Sequence, residues 1–294
     1  MTIPRQILPS RTYILTRRCA QRQYLLRPDS TVTSIFLFCV AEAVERFDIT
    51  LHGYLAMSNH SHLIVRDNQG NLPRFMGHLH KMIAKAVNAY WGRWENFWAS
   101  GMASAVHLVG AHDRFTKLVY LLANPVASQL VERVADWPGA SSLAQHLSGK
   151  ELTVHRPSGF FRDDGPMPER VQLRVERVDG FEDLTRREWS EKIAGAVRAA
   201  EDLALVERIE KDSSVLGRDA VLRAVHTDRP ATIAPRRIRQ PHVACRDVER
   251  RTSALAELSR FRAEHRAAVQ KCREGDGSAQ FPVGTYAALG SRKR

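Results

Sequence analysis

Apolar residues recur along this chain with two spacings, every second position in some stretches and every third or fourth in others. The order of these stretches predicts a fold. Residues 11–18 (Arg-Thr-Tyr-Ile-Leu-Thr-Arg-Arg) have strand composition. Asp29, Ser30 and Thr31 then supply capping side chains ahead of Ile35, Phe36, Cys39, Val40, Ala43 and Phe47, whose helical spacing predicts a helix over about 31–47. Ile49 to Met57 and His62 to Val65 read as two strands joined by a turn at Ser58 and Asn59. Asn71-Leu-Pro opens a second helix, with proline where its missing N–H costs least, and Phe75, Met76, Leu79, Ile83 and Val87 carry its apolar face to about Trp91. Met102 to Val109 is the fourth strand. A further helix is predicted from Asp113 to about Leu122, closed at Asn124-Pro125 because proline disfavours helix at the residue before it.

Strand, helix, strand, strand, helix, strand is the order of the ferredoxin-like fold, so the fold class expected is α+β, an antiparallel sheet with helices on one face. After Trp137-Pro138 and Ser141-Ser142 the texture changes, and residues 156–183 are rich in Pro, Gly and charge. Trp189 to Ile209 and Ala254 to Lys271 read as charged helices. Between them, Pro230 to Pro241 is a basic stretch carrying Arg236, Arg237 and Arg239. These features predict a domain over 1–150 and a mainly helical, basic C-terminal extension over 151–294.

Composition narrows the partners. The chain has 294 residues, 44% of them hydrophobic, enough for a sizeable core, and a net charge of +12. Residues 1–150 hold 16 Lys and Arg against 9 Asp and Glu, the remainder 28 against 23, so the excess is spread along the chain. Such a charge suits a polyanion, with nucleic acid ahead of membrane, and equally a well-solvated surface. The cysteines (Cys19, Cys39, Cys245, Cys272) form no C-x-x-C pair, so a reducing, cytoplasmic setting is expected rather than a disulfide framework or a zinc ribbon. The longest apolar run, Ile35 to Ala41, ends at Glu42, far short of a membrane span, and residues 1–11 have no apolar leader core.

Candidate chemistry centres on His60 and His62. In a strand, residues two apart share a face, so both imidazoles can meet one ion. On a helix they stand about 200° apart, and His78 and His80, in a helical segment, serve as an internal control. Tyr120 and Asn124, four apart on the last helix, share one face of it. A carboxamide oxygen with two imidazoles suits a hard divalent cation and leaves sites for phosphate oxygens, where the ion acts as a Lewis acid. A tyrosine nucleophile would store the broken phosphodiester as a covalent bond for rejoining, which water would not. Each residue also has a plainer reading: hydrogen-bonded sheet histidines, a helix-edge tyrosine, an asparagine before proline.

Met57-Ser-Asn-His-Ser-His-Leu-Ile-Val65 resembles the M-P-N-H-x-H-L-x-V of single-tyrosine HUH transposases of the IS200 type, among them the REP-associated tyrosine transposases. Tyr120-Leu-Leu-Ala-Asn-Pro-Val126 resembles their Y-I-x-x-N-P-V, and Trp137-Pro138 with Ser141-Ser142 looks like the tryptophan and paired serines that follow. The likeness spans roughly residues 8–145. It implies that His60, His62 and Asn124 hold Mg²⁺ or Mn²⁺. It further implies that Tyr120 attacks single-stranded DNA, at hairpin or palindromic repeats, to leave a 5′-phosphotyrosine and a free 3′-OH. Ser58 replaces the usual proline, and Ser61 replaces a bulky apolar residue between the histidines. As a strand neighbour of both, Ser61 should face away from the metal.

Arg17, Lys81, Lys85, Arg93, Arg114 and Lys117 are candidates for contacts to DNA phosphates, although any one suits a solvated surface. Trp91, Trp94, Phe97 and Trp98 could stack on unpaired bases or pack a seam. Two other function classes stay open: a non-catalytic hairpin-DNA-binding protein domesticated from a transposase, and a phosphodiesterase using water, for which Tyr120→Phe would stay active. A homodimer with the tyrosine helix acting in trans is also compatible with the sequence.

Overall fold

The computed structural model describes residues 4–101, 103–232 and 241–286. Its first elements are β1 (Arg11–Arg18), α1 (Ser30–Arg46), β2 (Ile49–Met57), β3 (His60–Asp67), α2 (Leu72–Tyr90) and β4 (Ser104–Leu108). Asp29 starts α1 as expected, its carboxylate accepting from the N–H groups of Thr31 and Val32. The four strands pair in the order β2-β3-β1-β4, every pair antiparallel, which is the ferredoxin-like topology.

Alternation along the strands divides the core in two. Tyr13, Leu15, Leu51, Leu63 and Val65 meet Phe36 and Phe38 of α1 and Phe75 and Leu79 of α2 on one face. The two helices of the β-α-β-β-α-β unit thus share a face, as the sequence predicts. The opposite face carries Ile14, Leu55, Ile64, Val106 and Leu108, covered by Leu118, Leu121, Leu122 and Val126 of α3 (Ala111–Ala127). Gly53 in β2 lets α3 lie flush there, since a Cβ at that position would come within 2.7 Å of Leu118 Cδ1. In the control pair, His78 bonds Glu42 of α1 at 2.7 Å and the His80 ring packs against Trp98, so each has a structural partner.

The helix α3 departs from the sequence expectation, running through Pro125 to Ala127. Proline removes one intrahelical bond and crowds the preceding turn, at a cost of about 3 kcal/mol. Burial of Leu121, Leu122 and Val126 against the sheet offsets that cost and holds the helix together.

Beyond α3 come α4 (Leu143–Ser148), β5 (Leu152–His155), β6 (Arg170–Leu173), α5 (Arg186–Glu210), α6 (Arg218–Arg223), β7 (Val243–Ala244) and α7 (Val248–Arg273). The stretch 156–183, irregular in sequence, holds β6, which pairs with β5 in a small antiparallel ribbon. Val154, Val171 and Leu173 of that ribbon belong to the same core as α1 and α2, while Trp189, Ile193 and Val197 of α5 join the core beneath α3. β7 adds a fifth strand to the sheet, parallel to β4. No helix among the described residues is long and apolar enough to cross a membrane.

Asp179 ties the two halves of the chain together. Its carboxylate accepts from Thr12 Oγ1 of β1 at 2.7 Å and Arg66 Nη1 of β3 at 2.6 Å, with His52 Nε2 of β2 at 3.7 Å. Gly180 follows at φ +94°, where a Cβ would strike Ala111 Cβ at 2.4 Å, so glycine alone lets this loop sit against the start of α3. Burial by itself would raise the Asp179 pKa, but the nearby His52 imidazole, the Thr12 hydroxyl and the Arg66 charge hold it well below the usual carboxylate range. A folded pKa below the unfolded value of about 3.9 means stability that is fully present above that pH and is lost progressively as pH falls from there through the lower folded pKa. Asp179→Asn is therefore expected to lower stability by about 3 kcal/mol at pH 7. Thermal melts of the two proteins should differ by a constant amount above about pH 5, and the gap should start to narrow below about pH 4 and keep narrowing towards the depressed pKa of the folded carboxylate. A gap of the same size at pH 2 as at pH 5 would contradict this role.

Candidate active site

The tight turn Ser58-Asn59 sets the position of both histidines. Its carbonyls accept from Leu26 N (to Ser58 O, 2.9 Å) and Cys19 N (to Asn59 O, 2.8 Å), which fixes the turn against the segment after β1. From there β3 sends His60 and His62 to the α3 side of the sheet and the buried Ser61 to the other, the parity expected of a strand. The two imidazole rings lie 4.7 Å apart between centroids, at 88° to each other.

Neighbouring side chains orient each ring. Asn59 Oδ1 stands 2.7 Å from His60 Nδ1, and a carboxamide oxygen only accepts, so that nitrogen carries the proton and Nε2 keeps its lone pair. Thr16 Oγ1 occupies the same position at His62, 2.8 Å from Nδ1. Neither Nε2 has a hydrogen-bond partner among the described residues. Burial pushes the His60 pKa down to about 4, aided by the Arg18 charge, and that of His62 to about 3, aided by His60. Both rings are neutral at pH 7, as metal ligands must be.

The α3 helix brings the tyrosine. Lys117, Tyr120 and Asn124 follow at three- and four-residue spacing, which places them along one side of the helix. The Tyr120 ring meets His62 edge to face, 6.0 Å between centroids at 74°, and remains 48% exposed. Lys117 Nζ lies 5.1 Å from the Tyr120 ring centre. Histidine pair and tyrosine thus come together within one chain. Asn124 is buried one turn further on, where its Oδ1 accepts a long 3.4 Å bond from Ser128, and it does not line the cleft in front of the histidines. Among the described residues no group of three or more His, Cys, Asp or Glu could hold a metal ion. Two imidazoles with free Nε2 atoms nevertheless fit a divalent cation if oxygen ligands complete the set.

A cleft of about 540 Å³ opens over His60, His62 and Tyr120. Its near wall includes Thr16, Arg18, Arg22 and Tyr24, and its far wall comes from the second half of the chain through Leu216, Val221, Ala224, Pro230 and Thr232. Arg22 Nη2 donates to Thr232 Oγ1 at 2.8 Å, and Arg27 Nη1 donates to Ala224 O at 2.8 Å, so the two walls are joined. None of Thr16, Arg18, Asn59 or these wall residues stood out in the sequence as a site residue. Strand parity could have nominated Thr16 and Arg18, but only with the β1–β3 register in hand.

Most candidate DNA contacts lie elsewhere. Arg17 is on the opposite face, donating to Gly101 O at 2.6 Å with its guanidinium 6.0 Å from the Trp98 ring. Lys81 and Lys85 are exposed on α2, also across the sheet from the histidines. Arg114 is engaged by the chain itself, donating to Val109 O at 3.1 Å and Asp179 O at 3.3 Å. Only Lys117 stays at the site. Phe97 is buried and Trp98 donates to His80 O, while Trp91 stacks on His226 at 4.5 Å and 12°. Trp94, 90% exposed, keeps both faces open. Arg236, Arg237 and Arg239 fall outside the described residues.

No family profile matches the sequence, and no curated protein matches it. Among solved structures, a REP-associated tyrosine transposase bound to a REP hairpin is similar at 16% identity and a TM-score of 0.43, over 60% of this chain and 98% of that one. A protein described as a candidate transposase of Deinococcus radiodurans R1 is similar at 17% identity and a TM-score of 0.31, over 41% of this chain and 95% of that one. Both likenesses fall below 20% identity and below a TM-score of 0.5.

Proposed function

We propose that this chain is a metal-dependent endonuclease and strand transferase of the HUH tyrosine type, acting on single-stranded DNA at hairpin or palindromic repeats. The observation that carries the reading is the meeting of Tyr120 with His62 and His60 in one cleft, with both free Nε2 atoms on neutral rings. The motifs around these residues resemble those of the IS200-type transposases, and the net charge of +12 suits a DNA partner.

His60 Nε2 and His62 Nε2 would hold Mg²⁺ or Mn²⁺, with the Asn124 carboxamide joining them only by turning from Ser128 toward the cleft, and the ion's Lewis acidity would polarise a phosphodiester there. Tyr120 Oη attacks the phosphorus, the bond from phosphorus to the 3′ oxygen breaks, and the phenol proton is balanced by one taken up at the leaving 3′ oxygen. The products are a 5′-phosphotyrosine and a free 3′-OH, which conserve the bond for rejoining. Lys117 places a positive charge 5.1 Å from the Tyr120 ring, beside the nucleophile. Asn59 holds the His60 imidazole in the tautomer the ion needs, and Thr16 fixes the orientation of the His62 ring.

The test uses single-stranded hairpin oligonucleotides labelled at either end, incubated with Mn²⁺ or with chelator and resolved on a denaturing gel. A metal-dependent covalent adduct carrying the 3′-side fragment is the expected result. Cleavage without an adduct would replace the reading with a hydrolase, and DNA that is shifted but never cut would replace it with a binding protein.

Asn59→Ala leaves the ring of His60 free to turn. Mn²⁺ affinity, read from the midpoint of the activation curve, is then expected to fall about 10–100-fold. An unchanged midpoint would remove Asn59 from the site.

A further inference from the structure

In the antiparallel ladder of β1 and β3, Thr16 stands opposite His62 and Arg18 opposite His60. Directly opposed residues project to the same face with their Cβ atoms about 5 Å apart. Thr16 uses this position to bond its histidine. Arg18 extends past its own, exposed, into the cleft that also holds His60, His62 and Tyr120. No carboxylate among the described residues pairs with it, whereas neighbouring Arg17 and Arg22 both donate to fixed protein oxygens. An unpaired guanidinium beside one imidazole, with the nucleophile's ring against the other, is placed for the substrate rather than for the fold.

We propose that Arg18 is a catalytic residue that binds the non-bridging oxygens of the scissile phosphate. This rests on the strand-transfer reading above. As Tyr120 Oη bonds to phosphorus and the bond to the 3′ oxygen breaks, negative charge gathers on those oxygens. A guanidinium offers two parallel N–H donors to such a group and keeps its charge at any working pH. Its contribution is therefore greater in the transition state than in bound DNA. Lys117 approaches from the helix side, next to the nucleophile. The two cations thus bracket the phosphate, one from the sheet and one from α3.

The experiment measures single-turnover cleavage at saturating hairpin DNA, with DNA affinity measured separately by gel shift. Arg18 is exposed, so Arg18→Met should fold normally. Its cleavage rate is expected to fall about 10²-fold or more while affinity changes by only a few-fold, with Arg18→Lys recovering part of the rate. A second readout uses a methylphosphonate at the scissile position, which replaces one charged oxygen by a methyl group. Wild-type protein should lose rate on that substrate, and Arg18→Met should lose markedly less, because the charge Arg18 answers is already gone. Equal penalties in the two proteins, or a loss confined to affinity, would overturn the assignment to Arg18 and leave the Tyr120 chemistry standing. A wild-type protein that forms no adduct would instead overturn the strand-transfer reading, and the role of Arg18 with it.

Discussion

Tyr120→Phe is expected to bind hairpin DNA as the wild type does, to form no covalent adduct, and to cut DNA slower by at least about 10⁴-fold. That is the scale on which removing a nucleophile from a working constellation is felt. The substitution deletes a single oxygen from a ring that is half exposed at the edge of α3. Stability should therefore change by no more than about 0.5 kcal/mol. The ring itself stays to pack edge to face on His62 and beneath Lys117, so the shape of the cleft is retained. A denaturing gel reads the adduct and product, and a native gel reads binding. If Tyr120→Phe cut at the wild-type rate, water would be the nucleophile and the protein a phosphodiesterase.

Removal of residues 151–294 is expected to leave a chain that does not fold stably, even though it retains His60, His62, Tyr120 and Asn124. The cut would uncover α1, where Val154, Val171 and Leu173 are packed, and the outer side of α3, where Trp189, Ile193 and Val197 are packed. Each such side chain contributes about 1.5–3 kcal/mol on burial, so losing all of them forfeits roughly 10–15 kcal/mol. A whole domain has only about 5–15 kcal/mol of net stability. The cut also removes Asp179 and leaves Arg66 and Arg114 without their carboxylate. Circular dichroism melts of the full chain and of residues 1–150 provide the check. A cooperative melt for the shorter chain, within a few degrees of the full one, would show that the first half stands alone.

These contrasts show what could be read from the sequence. The sheet was legible because its strands carry clean alternation and its helices carry caps and apolar faces, as at Asp29 and Phe75. Both histidines fell on one face because strand parity is a local property. Other features were hidden because they depend on pairings between distant residues. The partnership of Thr16 with His62, and the position of Arg18, follow from the β1–β3 register. Arg114 resembles a free surface cation until Asp179, 65 residues later, is seen beside it. The persistence of α3 through Pro125 likewise comes from burial of Val126, which outweighs the local preference of proline. β6 leaves no pattern of its own, being a short strand set in charged surroundings and held by its pairing with β5.

The most direct test of the central claim is mass spectrometry of the trypsin-digested protein–DNA adduct after nuclease trimming. Trypsin should release Leu118–Arg133 as one peptide, with Tyr120 as its only tyrosine. The expected result is that this peptide carries the added nucleotide phosphate on Tyr120 after incubation with Mn²⁺ and not after incubation with chelator. A nucleotide found on any other residue, or an unmodified Leu118–Arg133 alongside fully cleaved DNA, would contradict the assignment of Tyr120 as the nucleophile.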